Sequence, residues 1–224
     1  MRTKLSIFIF VFAFLSSFSA QVSFAEGCNF SDLSKKQFTT ERLLITPTTD
    51  EDLDKLSEYL LDKDVTKFLD SDPAVKNGFK TKEEALKFLK SKGSPEITKT
   101  IEFTIKLKDS KVPIGKLDLM LFGDSTLSPG YWLGKDFQNK GYMSEACLEV
   151  CNEAFKASDI KILYVACDFE NLNSIKLTKK IFDYIKKNNS TMSLSRFEEE
   201  NTFHANLNGE EVSFHCTQLI LKKI

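Results

Sequence analysis

The chain has 224 residues, room for one domain of ordinary size with a single substantial core. Thirty-one Lys and Arg against 32 Asp and Glu leave a formal net charge of -1, which gives no basic excess to attract nucleic acid. Twenty phenylalanines are the compositional oddity, and seven of them precede residue 38.

Those first residues form a separate unit. Arg2 and Lys4 give a positive start, Leu5 to Leu15 is an apolar run with Ser6 its one polar residue, and a Ser-rich stretch leads to Ser23-Phe24-Ala25. Small residues at Ser23 and Ala25 fit the two positions a signal peptidase reads, so 1–25 is expected to be a signal peptide that exports the chain to the periplasm or beyond. A cut after Ala20 is poorer, because Phe18 stands at the third position back. The alternative is an uncleaved membrane anchor, since the apolar stretch approaches spanning length. Ala25-Glu26-Gly27 before Cys28 is a poor lipobox. A polar lead-in, 26–37, separates this segment from a domain expected over 38–224.

Phe38 to Thr48 is a β-leaning run closed by Pro47. Thr49 to Asp52 resembles a capping box ahead of Leu53, Leu56 and Leu60 at helical spacing. A second helix has Thr81 as its cap, Glu84 three residues on, and Ala85, Phe88 and Leu89 on its face; Gly93-Ser94-Pro95 stops it. Ile101, Phe103, Ile105 and Leu107 alternate with polar residues in a half-buried strand. Val112 to Phe122 and Leu127 to Leu133 are two more. Met143, Ala146, Cys147, Val150, Cys151, Ala154 and Phe155 then make the longest helical stripe. Ile162 to Cys167 is a buried strand, and Asn171 to Lys187 is a helix. The tail is a hairpin turning at Asn206 to Gly209. This order predicts a mixed α/β sheet with helices on its faces.

Five cysteines at irregular spacing are no disulfide framework. Cys147 and Cys151 imitate an i, i+4 metal pair, but no matching His pair stands nearby and both lie on the apolar stripe. They are expected in the core, and no metal is expected.

The stretch that points to chemistry is a strand, a short loop and a helix: Tyr131-Trp132-Leu133-Gly134, then Gln138-Asn139-Lys140-Gly141-Tyr142-Met143. The first N–H groups of a helix have no helical acceptor and sit at the positive end of its dipole. A diphosphate can accept them, and Gly141 lets the backbone come close. Gln-x-x-Gly-x-x at a helix start, after Tyr-Trp-Leu-Gly, resembles the coenzyme A diphosphate motif of GNAT N-acetyltransferases. Ser144-Glu145-Ala146, Thr40-Glu41-Arg42-Leu43-Leu44-Ile45 and Asn171-Leu172-Asn173-Ser174, with Lys180 further on, are similar to that family's ribosomal-protein N-acetyltransferase-like branch. The likeness covers about 38 to 187. It departs at Met143, where the family has a small residue, at Asn139, where Gly is frequent, and at Phe182-Asp183, where the family ends its helix with Gly-Phe. Here the helix is expected to run to Lys187, with Asn188 and Asn189 available as left-handed caps.

The resemblance implies a mostly antiparallel GNAT-type sheet with helices on both faces, and acetyl transfer from acetyl-CoA to a primary amine of a peptide or small molecule. It implies that backbone N–H groups at Trp132, Leu133 and Gly134 hold the pantetheine arm and polarise the thioester carbonyl. Gln138, Asn139, Lys140, Gly141, Tyr142 and Met143 form the diphosphate turn, Tyr142 more as a packing residue beside it than as an acid. Asn171 binds the arm, and Ser174 interacts with the sulfur as the catalytic residue; capping is the structural alternative for both. Thr178 stands where many GNAT enzymes place a catalytic tyrosine. Glu102, Asp118, His204 and His215 are conceivable bases, as is a water chain, and none is singled out. Trp132 is equally core or substrate wall. Partners are an amine substrate, no nucleic acid, and a membrane only if 1–25 stays attached. The competing function is a non-catalytic GNAT-fold binding domain whose coenzyme A site Met143 has damaged.

Overall fold

The computed structural model describes residues 29–69, 73–91, 97–123, 125–157, 159–189, 194–207 and 210–223, with most side chains of 194–216 left aside. The expected signal segment, Cys28, the helix stop at 93–95 and the hairpin tip at 208–209 lie outside the described residues.

Eight strands form one sheet in the order β1-β2-β3-β4-β5-β6-β8-β7. They are β1 (Phe38–Thr39), β2 (Leu43–Pro47), β3 (Ile97–Leu107), β4 (Pro113–Phe122), β5 (Thr126–Leu133), β6 (Ile162–Asp168), β7 (Leu194–Leu207) and β8 (Glu210–Lys223). Every neighbouring pair is antiparallel except β5 and β6. The single run expected over 38–48 is two strands, because the chain reverses at Thr40–Arg42, where the Thr40 N–H donates to the Leu43 carbonyl at 3.0 Å.

The helices are α1 (Asp50–Tyr59), α2 (Lys63–Thr66), α3 (Pro73–Lys76), α4 (Lys82–Leu89), α5 (Tyr142–Lys156) and α6 (Leu172–Asn188). Thr49 and Asp52 form the expected reciprocal cap of α1, each backbone N–H meeting the other's side chain at 3.2 Å. Thr81 caps α4 by accepting from the Glu84 N–H. The two short helices between them were not expected; four-residue turns carry too few apolar positions for a period to show.

Alternation along β5 separates the two faces. Trp132 packs with Leu53 and Leu56 of α1, its C-cap Leu60, and Ala85 and Leu89 of α4, whereas Tyr131 and Leu133 belong to the core beneath α5 and α6. Helices therefore cover both faces. Cys147 and Cys151 are fully buried in the α5 face, as their place on its stripe predicts. The expected polar lead-in carries a 3-10 turn, Phe30–Lys35, that buries Phe30 and Leu33 in the same core. Its start is tied down by the Phe30 N–H, 3.0 Å from an Asp159 carboxylate oxygen.

The end of α6 corrects another expectation. Asn188 is still helical, and Asn189 caps it at φ -124°, which is not left-handed. The buried Asn189 amide instead donates to the Ile185 carbonyl at 2.8 Å and to Asn152 Oδ1 of α5 at 3.1 Å. A side chain that satisfies the last turn and docks it on a neighbour removes the need for a left-handed cap.

The parallel pair is the unusual part of the sheet. β5 and β6 match only at Thr126 with Ile162 and Leu127 with Leu163. Beyond these positions they part, while β5 stays zipped to β4 through Leu133. The zipping depends on Gly115, where a Cβ would come within 2.3 Å of the Trp132 carbonyl oxygen and 2.6 Å of Leu133 Cδ2. Gly115→Ala is expected to cost about 2 kcal/mol by forcing the strands apart. A lower urea midpoint with an unchanged slope is the measurement that checks it.

Candidate functional site

The loop from Leu133 to α5 is set by its own backbone. The Gly134 N–H donates to the Ile114 carbonyl at 2.9 Å, and Lys135–Phe137 makes one 3-10 turn. Gln138 Nε2 returns to the Leu133 carbonyl at 3.0 Å. Asn139 (φ 58°) and Gly141 (φ 81°) are both left-handed, a state Gly enters freely and Asn tolerates better than most residues. This explains why Asn can stand at a position where glycine is frequent. Gly141 is the N-cap of α5 and has no side chain to occupy the N–H groups that follow. The first helical bond closes from the Glu145 N–H to the Gly141 carbonyl at 3.0 Å, so the Tyr142, Met143 and Ser144 N–H groups face outward from a positive dipole end.

A clamp fixes this turn to the edge of the sheet. Glu145 accepts from Thr40 Oγ1 at 2.5 Å, from the Arg42 N–H at 2.8 Å and from Arg42 Nε at 2.7 Å. The same guanidinium donates to the Lys140 carbonyl at 2.9 Å and lies 4.6 Å from the centre of the Tyr142 ring. Tyr142 is thus a packing residue. Burial pushes the Glu145 carboxyl upward, but the bonds from Thr40 and Arg42 outweigh it and hold its pKa below the usual range. None of this was assigned from sequence, although Thr40, Arg42 and Glu145 all lie in stretches that carry the resemblance.

A cavity of about 270 Å³ opens at this helix start. Its walls are Leu133, Asn139 and the residues Gly141 to Ser144 on one side, and Lys176, Leu177 and Lys180 of α6 on the other. Lys180 Nζ reaches Ser144 Oγ at 2.8 Å. Two lysines and a row of outward N–H groups make the cavity suited to an anion. Met143 lines it and also packs against the core, so its bulk is shared between the two. Lys140 contributes its carbonyl to the clamp, and its side chain is exposed.

The free backbone donors beside the cavity differ from those expected. Because the Gly134 N–H points at β4, alternation directs the Trp132 N–H there too, toward its partner Lys116. The Leu133 and Tyr131 N–H groups point the other way, into the gap left by β6. Trp132 and Gly134 are therefore corrected as donors, Leu133 stays, and Tyr131 joins it. Pro129, which has no N–H, falls on the same outward edge, as a strand edge allows.

Ser174 and Asn171 stand across the gap at the start of α6. Asn171 Oδ1 accepts from the Ser174 N–H at 3.2 Å, so it caps the helix, and this bond leaves its amide nitrogen uncommitted. Ser174 Oγ lies 3.0 Å from the Tyr131 hydroxyl. Thr178 is buried and donates to the Ser174 carbonyl at 3.0 Å. The structure thus brings Leu133, Gly141 to Met143, Asn171 and Ser174 around one gap, and it turns the Trp132 side chain to the opposite face.

Of the conceivable bases, Glu102 and Asp118 hold the buried Lys116 ammonium at 2.8 and 3.0 Å. Burial alone would lower that ammonium's pKa, but the two carboxylates raise it, so it stays charged and engages both. The side chains of His204 and His215 lie outside the described residues.

A family model described as an acetyltransferase (GNAT) domain matches residues 42–181. An uncharacterized N-acetyltransferase of Bacillus subtilis (strain 168), YnaD, is 32% identical over 145 residues, which are 64% of this chain and 79% of that protein. Among solved structures, the ribosomal L7/L12 α-N-protein acetyltransferase RimL in complex with coenzyme A superposes with a TM-score of 0.59 at 16% identity, over 84% of this chain and 98% of that one. The spermidine N-acetyltransferase of Vibrio cholerae, in complex with coenzyme A and spermine, gives 0.58 at 14% identity, over 82% and 97%.

Glu145→Gln is expected to destabilise the fold by about 1 kcal/mol near neutral pH by weakening the clamp. Glu145 has a folded pKa below its unfolded one, so its contribution is complete above the ordinary value of about 4.3 and is lost as pH falls through the folded value. Thermal unfolding of the two proteins should therefore converge on acidification below that value; a difference that persists there would contradict the assignment.

Proposed function

The chain belongs to the GNAT acetyltransferase family and is an acetyl-CoA-dependent N-acetyltransferase, and we propose that its acceptor is a primary amine on a peptide or a small molecule. The observation that carries this reading is the start of α5, where outward N–H groups, Gly141 and the two α6 lysines meet the free edge of β5. The donor set fits acetyl-CoA at both ends: an anion cradle for the diphosphate, and strand-edge N–H groups for the amide-bearing arm.

In this proposal the Gly141 to Ser144 backbone binds the diphosphate, helped by Lys176 and Lys180. Gln138, Asn139, Lys140 and Tyr142 shape that turn without touching the phosphates through their side chains. The Leu133 and Tyr131 N–H groups hold the arm and polarise the thioester carbonyl, as donors aimed at developing negative charge do. Asn171 offers its amide nitrogen to the arm, and Ser174 donates a hydrogen bond to the sulfur. When bound, acetyl-CoA supplies the activated acetyl group. The acceptor must arrive as a neutral amine, and the proton it sheds on attack reaches the departing sulfur through water.

Thermal shift separates an enzyme from a fold that has lost its donor. A rise in Tm with acetyl-CoA is expected, and it should vanish in Gly141→Glu, which places an L-residue at a left-handed φ and a negative charge at the cradle. A Tm unmoved by either acetyl-CoA or coenzyme A would favour the binding domain with a degenerate site.

We also propose export through 1–25, on the charge, apolar run and small residues described above. A mature N-terminus at Glu26 in the exported fraction is expected from N-terminal sequencing, and a membrane fraction retaining Met1 would instead identify an anchor. Recovery of intact Met1 in soluble cytosol would overturn both.

A further inference from the structure

Tyr131 reaches from β5 across the gap between the parted strands to the first turns of α6. Its hydroxyl lies 3.0 Å from Ser174 Oγ and 3.4 Å from Thr178 Oγ1. Thr178 commits its own proton to the Ser174 carbonyl at 3.0 Å, so it does not donate to Tyr131. The 3.0 Å contact with Ser174 runs in either direction by its length alone, and Tyr131 donates across it once an acceptor in the gap engages the Ser174 proton. With Tyr131 donating, Ser174 Oγ acts as acceptor on that side, and its own O–H is turned outward. Burial pushes the phenol well above the usual tyrosine range, so it keeps its proton and stays a donor. The titratable groups facing it are Cys147 of α5 and Cys167 of β6, both buried thiols that bring no cation to compete for the hydroxyl.

The cavity walls include residues of the two elements that carry this hydroxyl pair. Leu133 stands two residues beyond Tyr131 on the same face of β5, and Leu177 stands three beyond Ser174 on α6; both line the cavity. Leu133 and Leu177 would thus guide the arm of a donor held by its phosphates at α5 toward Ser174.

We propose that Tyr131 is a positioning residue: by donating to Ser174 Oγ, it aims the Ser174 O–H at the leaving sulfur. This rests on the function proposed above. In the transfer, the C–N bond forms, the C–S bond breaks, and the proton shed by the amine nitrogen reaches the sulfur through water. Proton transfer from a serine hydroxyl to a thiolate runs uphill, because the hydroxyl is much the weaker acid. Ser174 therefore keeps its proton and stabilises the sulfur anion by a hydrogen bond that strengthens as charge develops.

The thiol of bound coenzyme A reads this interaction without any acceptor. Its ionisation is followed by the ultraviolet absorbance of the thiolate, as the complex minus the protein alone. In the wild type the bound thiol is expected to ionise about tenfold more readily than in Tyr131→Phe or Ser174→Ala, a difference of about one pKa unit. The double variant should match the single ones, since the two hydroxyls act together. Coenzyme A affinity should change little in Tyr131→Phe. Because the Tyr131 ring packs against the core, 3-fluorotyrosine at 131 serves as a second variant; it keeps the ring and strengthens the donor, and should lower the bound thiol's pKa further. Coenzyme A that binds but titrates alike in wild type and Tyr131→Phe, or additive effects in the double variant, would overturn the positioning role and leave the donor assignment intact. A wild type that shows no thermal shift with coenzyme A would overturn both.

Discussion

Two parallel strands that pair at only two positions govern the rest of this molecule. Parallel neighbours normally continue their ladder, and strand-edge N–H groups left without partners are costly when shielded from water. Here β5 keeps its ladder with β4, while β6 turns away to pair with β8 along its whole length. The donors stranded on the free edge of β5 belong to Tyr131 and Leu133, because Pro129 has none to strand. The gap is also bounded by the starts of α5 and α6, so the outward N–H groups of α5 and the Asn171 amide converge on it with the β5 edge. That convergence is what an extended, amide-bearing and phosphate-bearing donor matches.

The electrostatics of the gap are held by parts distant in sequence. A helix start with positive dipole is useful to a ligand only if its approach is fixed. Fixing it falls to Glu145, which faces back toward the hairpin between β1 and β2 and takes three hydrogen bonds from Thr40 and Arg42. A carboxylate inside the first turn also favours the helix dipole, so the clamp and the helix start support each other. On the opposite face of the sheet, Lys116 neutralises much of the charge of Glu102 and Asp118. Those two carboxylates are structural partners of Lys116.

Much of the fold was legible because it is written in short-range periods. The α5 stripe, the alternation of β3 and the caps at Thr49 and Thr81 each follow from local geometry, and each is found. The turn itself was visible at Gly141 but its left-handed backbone was not, and Asn139 looked like a departure until its φ showed it adopting the same conformation as Gly141. The short helices α2 and α3, the break between β1 and β2, and the buried turn at Phe30 left no period to detect. The α6 end was misjudged because its cap is a contact to Asn152, made by tertiary packing.

The candidate site divides in the same way. By itself the sequence determined the pieces: a strand leading into a turn that carries Gly141, a helix start with free donors, and an Asn-x-x-Ser start for the next helix. These depend on neighbours within a few residues, so they survive without knowledge of the fold. Which N–H groups face the gap was decided only by the register of β5 on β4, because one step of register moves every donor to the other edge. The same holds for the meeting of Arg42 with Glu145, and of Tyr131 with Ser174, which are separated by 103 and 43 residues. Such pairs arise from the crossing of chain segments, and nothing in either segment alone specifies the other.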